Sequence, residues 1–216
     1  MSTYVMTDIH GCYDAMKRML GKIGFSGRDR LICAGDYIDR GPQSYEMLCW
    51  IESPGENVTL IRGNHDEEFI YYTALMKQVA EQKKLDPDSL EDTWTVYGLS
   101  ARALGYFDYY KTIRQLIQEK QTCLRQLFRW AACIQKMPYY YELTMNGRRC
   151  IVVHAGYLES LECLKDVEPD GIYSSLEDFW LTARDDAYLY GGVEHGMILA
   201  GHTPTVARYE LPYNHG

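Results

Sequence analysis

Three times within the first 66 residues a short apolar run stops at a polar, glycine-bearing loop and then gives way to helical spacing. Tyr4-Val5-Met6 ends at Thr7-Asp8-Ile9-His10-Gly11, after which Met16, Met19, Leu20 and Ile23 recur on one helical face up to Gly24. Leu31 to Ala34 leads into Gly35-Asp36-Tyr37-Ile38-Asp39-Arg40-Gly41, and Pro42 is placed to open a helix carrying Tyr45, Leu48 and Ile51. Val58 to Ile61 leads into Arg62-Gly63-Asn64-His65-Asp66, with helical spacing from Glu67 to Lys83. This recurrence predicts an α/β fold of neighbouring strands whose carboxyl ends all carry polar loops. Such sheets bind ligands at those ends.

The middle of the chain changes character. The polar stretch from Lys83 to Asp92 reads as a solvated connection, and from Asp108 to Met137 the apolar residues fall on one helical face. That face is expected to pack on the domain rather than to receive a partner. Residues 67–137 are thus expected to form a helical insertion near the site. After Pro138 strands return: Tyr139 to Met145, a turn at Asn146-Gly147, and Arg148 to Val153, which ends at His154. A last strand, Met197 to Ala200, ends at Gly201-His202-Thr203-Pro204. The strand-like Ala207 to Leu211 is followed only by Tyr213-Asn214-His215-Gly216, so the C-terminal sheet is expected to lack a return strand through truncation.

A length of 216 residues, 46% of them hydrophobic, is enough for one core, and a single domain, residues 1–216, is expected. The net charge of −8 and pI near 5.3 argue against nucleic acid and anionic membrane as partners, because both require a clustered positive field. The N-terminus has no signal-peptide pattern and no apolar run approaches the roughly 20 residues that span a bilayer. The seven cysteines are scattered, as reduced core thiols are and disulfide frameworks are not. A cytoplasmic monomer is the expectation. The nineteen tyrosines read as packing residues, and His195 and His215 as surface residues.

Five polar loops at five strand ends hold Asp8 and His10, Asp36 with Asp39 and Arg40, Asn64 with His65, His154, and His202. A lone histidine after a strand is usually structural, but four of the six histidines fall in these loops. Carboxylate, amide oxygen and imidazole together suit hard-to-borderline divalent ions, and thiolate pairs for a structural zinc are lacking.

The set Asp-x-His-Gly, Gly-Asp-x-x-Asp-Arg-Gly, Gly-Asn-His-Asp, His-Ala-Gly and Gly-His-Thr resembles the PPP-type serine/threonine phosphatases within the calcineurin-like metallophosphoesterases, and the small bacterial and phage lambda-type members most closely. The resemblance covers residues 4–66 almost continuously and 150–210 more loosely. It implies a central two-sheet β-sandwich of mixed strands flanked by helices. It also implies two divalent ions, manganese first with iron or zinc as alternatives, held by Asp8, His10, Asp36, Asn64, His154 and His202, with Asp36 bridging. Two such ions, roughly 3.5–4 Å apart, clamp an in-line displacement and supply a hydroxide at neutral pH. The resemblance makes His65 the general acid, oriented by Asp39. Arg40 and, by its place between His154 and His202, Arg184 would bind phosphate oxygens, with Asn64 beside them. Arg62 reads as a structural ion-pair partner.

Thr7 departs from the pattern, standing where the family usually has glycine. The substrate expected first is a phosphate monoester, a phosphoserine or phosphothreonine protein or a phosphotyrosine one, because Asp39 is present where symmetrical dinucleoside tetraphosphate hydrolases tend to replace it. Dinucleoside tetraphosphate hydrolysis is the alternative. A phosphoprotein-binding pseudoenzyme is the non-enzyme alternative; it would be expected to lack a ligand or the acid, and this sequence keeps all of them.

Overall fold

Alternation along the central strands decides which layer each side chain joins. In a computed structural model, which describes residues 1–104, 110–164 and 173–204, β2 (Arg30–Ala34) sends Leu31 and Cys33 toward helices and Ile32 and Ala34 toward a second sheet. It lies between β1 (Thr3–Met6) and β3 (Val58–Ile61), both parallel to it, with Thr3 opposite Arg30 and Leu31 opposite Val58. The crossovers are α1 (Tyr13–Lys22) and α2 (Ser44–Glu52). Met16, Met47, Leu48 and Ile51 share one core with Leu31, Cys33 and Leu60 of the sheet; of the residues the helical spacing names, Met19 and Ile23 are exposed and Leu20 and Tyr45 half-buried.

After β3 the helix α3 runs from Asn64 to Lys83, three residues earlier than the apolar spacing predicts. The Asp66 carboxylate accepts the Gly63 N–H at 2.9 Å, so the polar motif is itself the first helical turn. The supposed solvated connection is short, because Ser89 caps α4 (Leu90–Ala103) by accepting the Asp92 N–H. The single amphipathic run expected to Met137 is two helices, α5 (Lys111–Lys120) and α6 (Leu124–Gln135). Gln121, at φ 50°, ends the first, and the chain re-enters helix three residues later, so both helices keep one buried face on the same core. The expected start of that run at Asp108 lies outside the described residues.

The second sheet pairs β4 (Tyr140–Met145) antiparallel with β5 (Arg148–Val153) through Asn146 and Gly147, both at positive φ as a tight hairpin requires. β6 (Gly196–Leu199) lies parallel to β5, and the connection between them carries α7 (Leu176–Thr182) and α8 (Asp185–Leu189). Val152 meets Ile32, Ala34 and Ile61 between the sheets, while Ile151 and Val153 turn outward to Tyr140, Tyr157 and Trp180. The fold is α/β with two sheets flanked by helices. Among the described residues no helix is long and apolar enough to cross a membrane. The strand-like segment at 207–211, the C-terminal residues and His215 lie outside the described residues; His195 is exposed.

Candidate metal centre

The carboxyl ends of β1, β2, β3 and β5 and the loop after β6 converge. The parallel pairing of β1 with β2 continues into their loops: His10 N–H donates to the Asp36 carbonyl and Gly11 N–H to that of Tyr37, each at 2.8 Å. Gly35, at φ 82°, approaches Gly63 so closely that a Cβ on it would lie 2.5 Å from the Gly63 Cα, which brings the second and third loops together. Asp8, His10, Asp36, Asp39, Arg40 and His202 are six of the ten non-glycine residues with positive φ among the described residues. Backbone of this kind costs about 1–3 kcal/mol each and persists where surrounding contacts over-determine it.

Those contacts are visible. Asp66, fully buried, accepts N–H groups from Asp36 at 2.8 Å, Gly63 at 2.9 Å and Tyr37 at 3.1 Å, tying the loop after β2 to the start of α3. Burial and the adjoining Asp36 carboxylate push Asp66 up to about 8, against the pull of those three donors. The sequence motif contains Asp66, but its role is readable only as the third residue after a glycine helix cap.

Each ligand candidate is oriented by its far side. His10 Nδ1 donates to the Ile38 carbonyl and His154 Nδ1 to the Ala34 carbonyl, each at 2.8 Å, which leaves both Nε2 atoms as lone pairs. His10 Nε2 lies 3.4 Å from Asp36 Oδ2 and 3.9 Å from Asp8 Oδ1; it is buried with no hydrogen-bond partner. His154 Nε2 lies 3.4 Å from Asp36 Oδ1, 3.0 Å from Asn64 Oδ1 and 3.2 Å from His202 Nδ1. Burial lowers the His10 imidazole below its usual value, and burial with His154 and Arg184 lowers His202 to about 4. Both are therefore neutral at pH 7. Acceptor atoms facing one another around a buried carboxylate fit divalent cations, and two triplets have ligand atoms that lie mutually within 4.8 Å: His10, Asp36 and His65, and Asp36, His154 and His202.

Asp8 stands at the edge of the first triplet. Its Oδ2 accepts the Thr7 hydroxyl at 2.6 Å and the His202 N–H at 2.9 Å, which turns Oδ1 toward His10. Burial raises its carboxyl, but Thr7, the His202 N–H and the imidazoles of His154 and His10 bring it below the usual range. Thr7 and Gly201 are complementary: a Cβ at Gly201 would lie 2.2 Å from Thr7 Oγ1.

His65 Nδ1 donates to Asp39 Oδ2 at 2.7 Å, and Arg40 Nη2 lies 3.3 Å from its Nε2. The Asp39 bond, opposed by burial and aided by Asp36, raises His65 above its usual value. Thr112 of α5 donates its hydroxyl to the other Asp39 oxygen. Nothing in the sequence marks Thr112, which falls among the buried residues of an amphipathic helix. Arg40 is exposed at the rim, and Arg184, also exposed, lies on the His202 side. Arg62 is buried and pairs with Glu67 at 2.7 Å while donating to the carbonyls of Gln135 and Met137, the structural part its sequence position implies.

The family model described as calcineurin-like phosphoesterase matches residues 1–212. A symmetrical bis(5'-nucleosyl)-tetraphosphatase of Buchnera aphidicola is 35% identical over 116 residues, which are 52% of this chain and 42% of that protein. Its Escherichia coli counterpart (strain K12 / DH10B) is 38% identical over 88 residues, 40% of this chain and 31% of that protein. The matched part of the chain thus spans less than half the length of these relatives. A solved structure described as a candidate diadenosine tetraphosphatase overlaps 95% of this chain and 76% of its own, with TM-score 0.49 and 17% identity.

Proposed function

Because the chain belongs to the calcineurin-like phosphoesterase family, we propose that it is a two-metal phosphohydrolase acting on symmetrical dinucleoside tetraphosphates. The observation that carries the hydrolase part is the convergence on the buried Asp36 carboxylate of His10 and Asp8 from one side and of Asn64, His154 and His202 from the other. The substrate part rests on the named activity of the relatives, and it reverses the order that the Asp39-Arg40 motif alone suggests.

In this reading Asp8, His10 and Asp36 hold one ion and Asp36, Asn64, His154 and His202 the other, manganese first among the candidates. When bound, the ions neutralise phosphate oxygens and acidify water to a nucleophile. Arg40 and Arg184, on opposite rims, bind the outer phosphate oxygens and orient the chain of phosphates for in-line attack. Cleavage between the second and third phosphorus atoms breaks one P–O bond and gives two nucleoside diphosphates. His65 Nε2 delivers a proton to the leaving oxygen while Asp39 holds Nδ1.

That same hydrogen bond favours a second reading. A nucleoside diphosphate leaves readily as an anion, whereas the alkoxide of a serine or threonine ester needs a proton. A protonated His65 held by Asp39 is therefore worth most for a phosphomonoester.

Full-length protein with manganese is to be offered diadenosine tetraphosphate, a phosphoserine peptide and a phosphotyrosine peptide side by side. ADP as the product of the first, formed faster than phosphate from either peptide, is the expected result. Faster release from a peptide establishes the monoester reading instead. Metal-loaded, folded protein with no turnover on any of the three ends the enzyme reading and leaves a binding protein. The cytoplasmic, monomeric state is part of the same proposal and is checked by fractionation and by sedimentation.

A further inference from the structure

Three of the four buried threonines of the helical segment donate their hydroxyls, and to different partners. Thr73 donates to the Phe69 and Ile70 carbonyls of its own helix, and Thr93 to the carbonyl of Ser89. These are ordinary back-bonds to the preceding turn. Thr112 is the second residue of α5, so no such turn precedes it, and its hydroxyl crosses 73 positions of sequence to Asp39 Oδ1. It is 5% exposed and flanked by Ile113 and Leu116, which fix the helix on the core.

Asp39 is held from three directions, its carboxylate from two of them. Its backbone N–H donates to Ser44 Oγ of α2 at 3.1 Å, its Oδ2 accepts His65 Nδ1 of α3, and its Oδ1 accepts Thr112 of α5. The backbone there is at φ 69°, a conformation that persists only where surrounding contacts hold it. Without the hydroxyl, only His65 holds the plane of the carboxylate, and the two can turn together about the last bond of Asp39.

We propose that Thr112 is a positioning residue for proton delivery: it fixes Asp39 so that Oδ2 meets His65 Nδ1 and His65 Nε2 faces the leaving oxygen. Helix α5, outside every recognisable motif, thereby supplies part of the reaction's machinery. The inference rests on the reading of His65 as proton donor.

The test uses leaving groups. The full-length manganese enzyme is assayed on phenyl phosphate, whose phenoxide needs a proton, and on 2,4-dinitrophenyl phosphate, whose anion does not. Thr112→Val, which keeps the shape and excludes a substitute water, is expected to lose about 10- to 100-fold in kcat on phenyl phosphate, the worth of one hydrogen bond to a charged group. On the dinitrophenyl ester it should stay within about twofold, a discrimination expected of a general-acid defect. Thr112→Ser should restore the phenyl phosphate rate, and Thr112→Ala replaces the valine variant if that fails to fold. Equal losses on both esters, or none on either, overturn the proposal. His65→Asn separates the two levels. If it discriminates between the esters and Thr112→Val does not, only the role of Thr112 is lost; if it does not discriminate, the proton-donor reading is lost with it.

Discussion

The two sheets contribute to one centre by different means. The first delivers its groups in clusters: the loops after β1, β2 and β3 each carry two or more functional side chains, and Asp66 and the extended ladder lock these loops to one another. The second delivers single histidines. His154 is anchored by one bond to Ala34, and His202 by its N–H to Asp8, both across the gap between sheets. A cluster on consecutive parallel strands is stiff by local construction, whereas an isolated ligand depends on how the sheets dock.

The largest effect should come from the residue both triplets share. Asp36→Asn is expected to abolish binding of both ions and to cost more than the about 10²–10⁴-fold that loss of a general acid brings. His202→Ala should cost less and remove one ion, because it belongs to one triplet only. Metal content by mass spectrometry beside kcat measures both, and equal stoichiometries in the two variants would break the asymmetry.

Thr7→Val probes the seam between sheets. Losing the hydroxyl on Asp8 Oδ2 should weaken manganese binding about 10–100-fold, the usual consequence of removing an outer hydrogen bond to a ligand. Calorimetric titration reads it directly; unchanged affinity would mean that the His202 N–H alone holds Asp8.

The smallest effect concerns the strands themselves. Burial pushes the Cys33 thiol of β2 up to about 12, from 9.0, and raises Cys150 of β5 as well. The unfolded chain releases these protons from pH 9 upward while the fold withholds them. Stability that is complete below pH 9 is therefore lost as pH rises toward 12. Melting temperatures between pH 8 and 11 should fall, less steeply in Cys33→Ala, and Cys150→Ala should flatten the slope less. The reverse order would place the tighter packing in the second sheet.

Legibility in the sequence followed the same division. The three N-terminal units were readable to within a few residues, because strand, ligand loop and helix are contiguous and each carries its own periodicity. The start of α3 was the exception: Asn64, His65 and Asp66 read as loop because they are polar, yet a polar first turn is what a helix N-terminus favours. The break between α5 and α6 escaped because both helices bury the same face and no glycine or proline marks Gln121.

What the sequence by itself determined is the chemistry: which side chains stand at strand ends, their suitability for divalent ions, the α/β class and the phosphoesterase resemblance. These are properties of residue type and local spacing. Tertiary structure alone decided which groups stand near enough to share an ion, that Thr7 answers Gly201 across the sheets, and that Thr112 reaches Asp39 from a helix without a motif. Such contacts join positions tens to nearly two hundred residues apart, and no local period records which of them the packing of two sheets and their flanking helices brings within bonding distance.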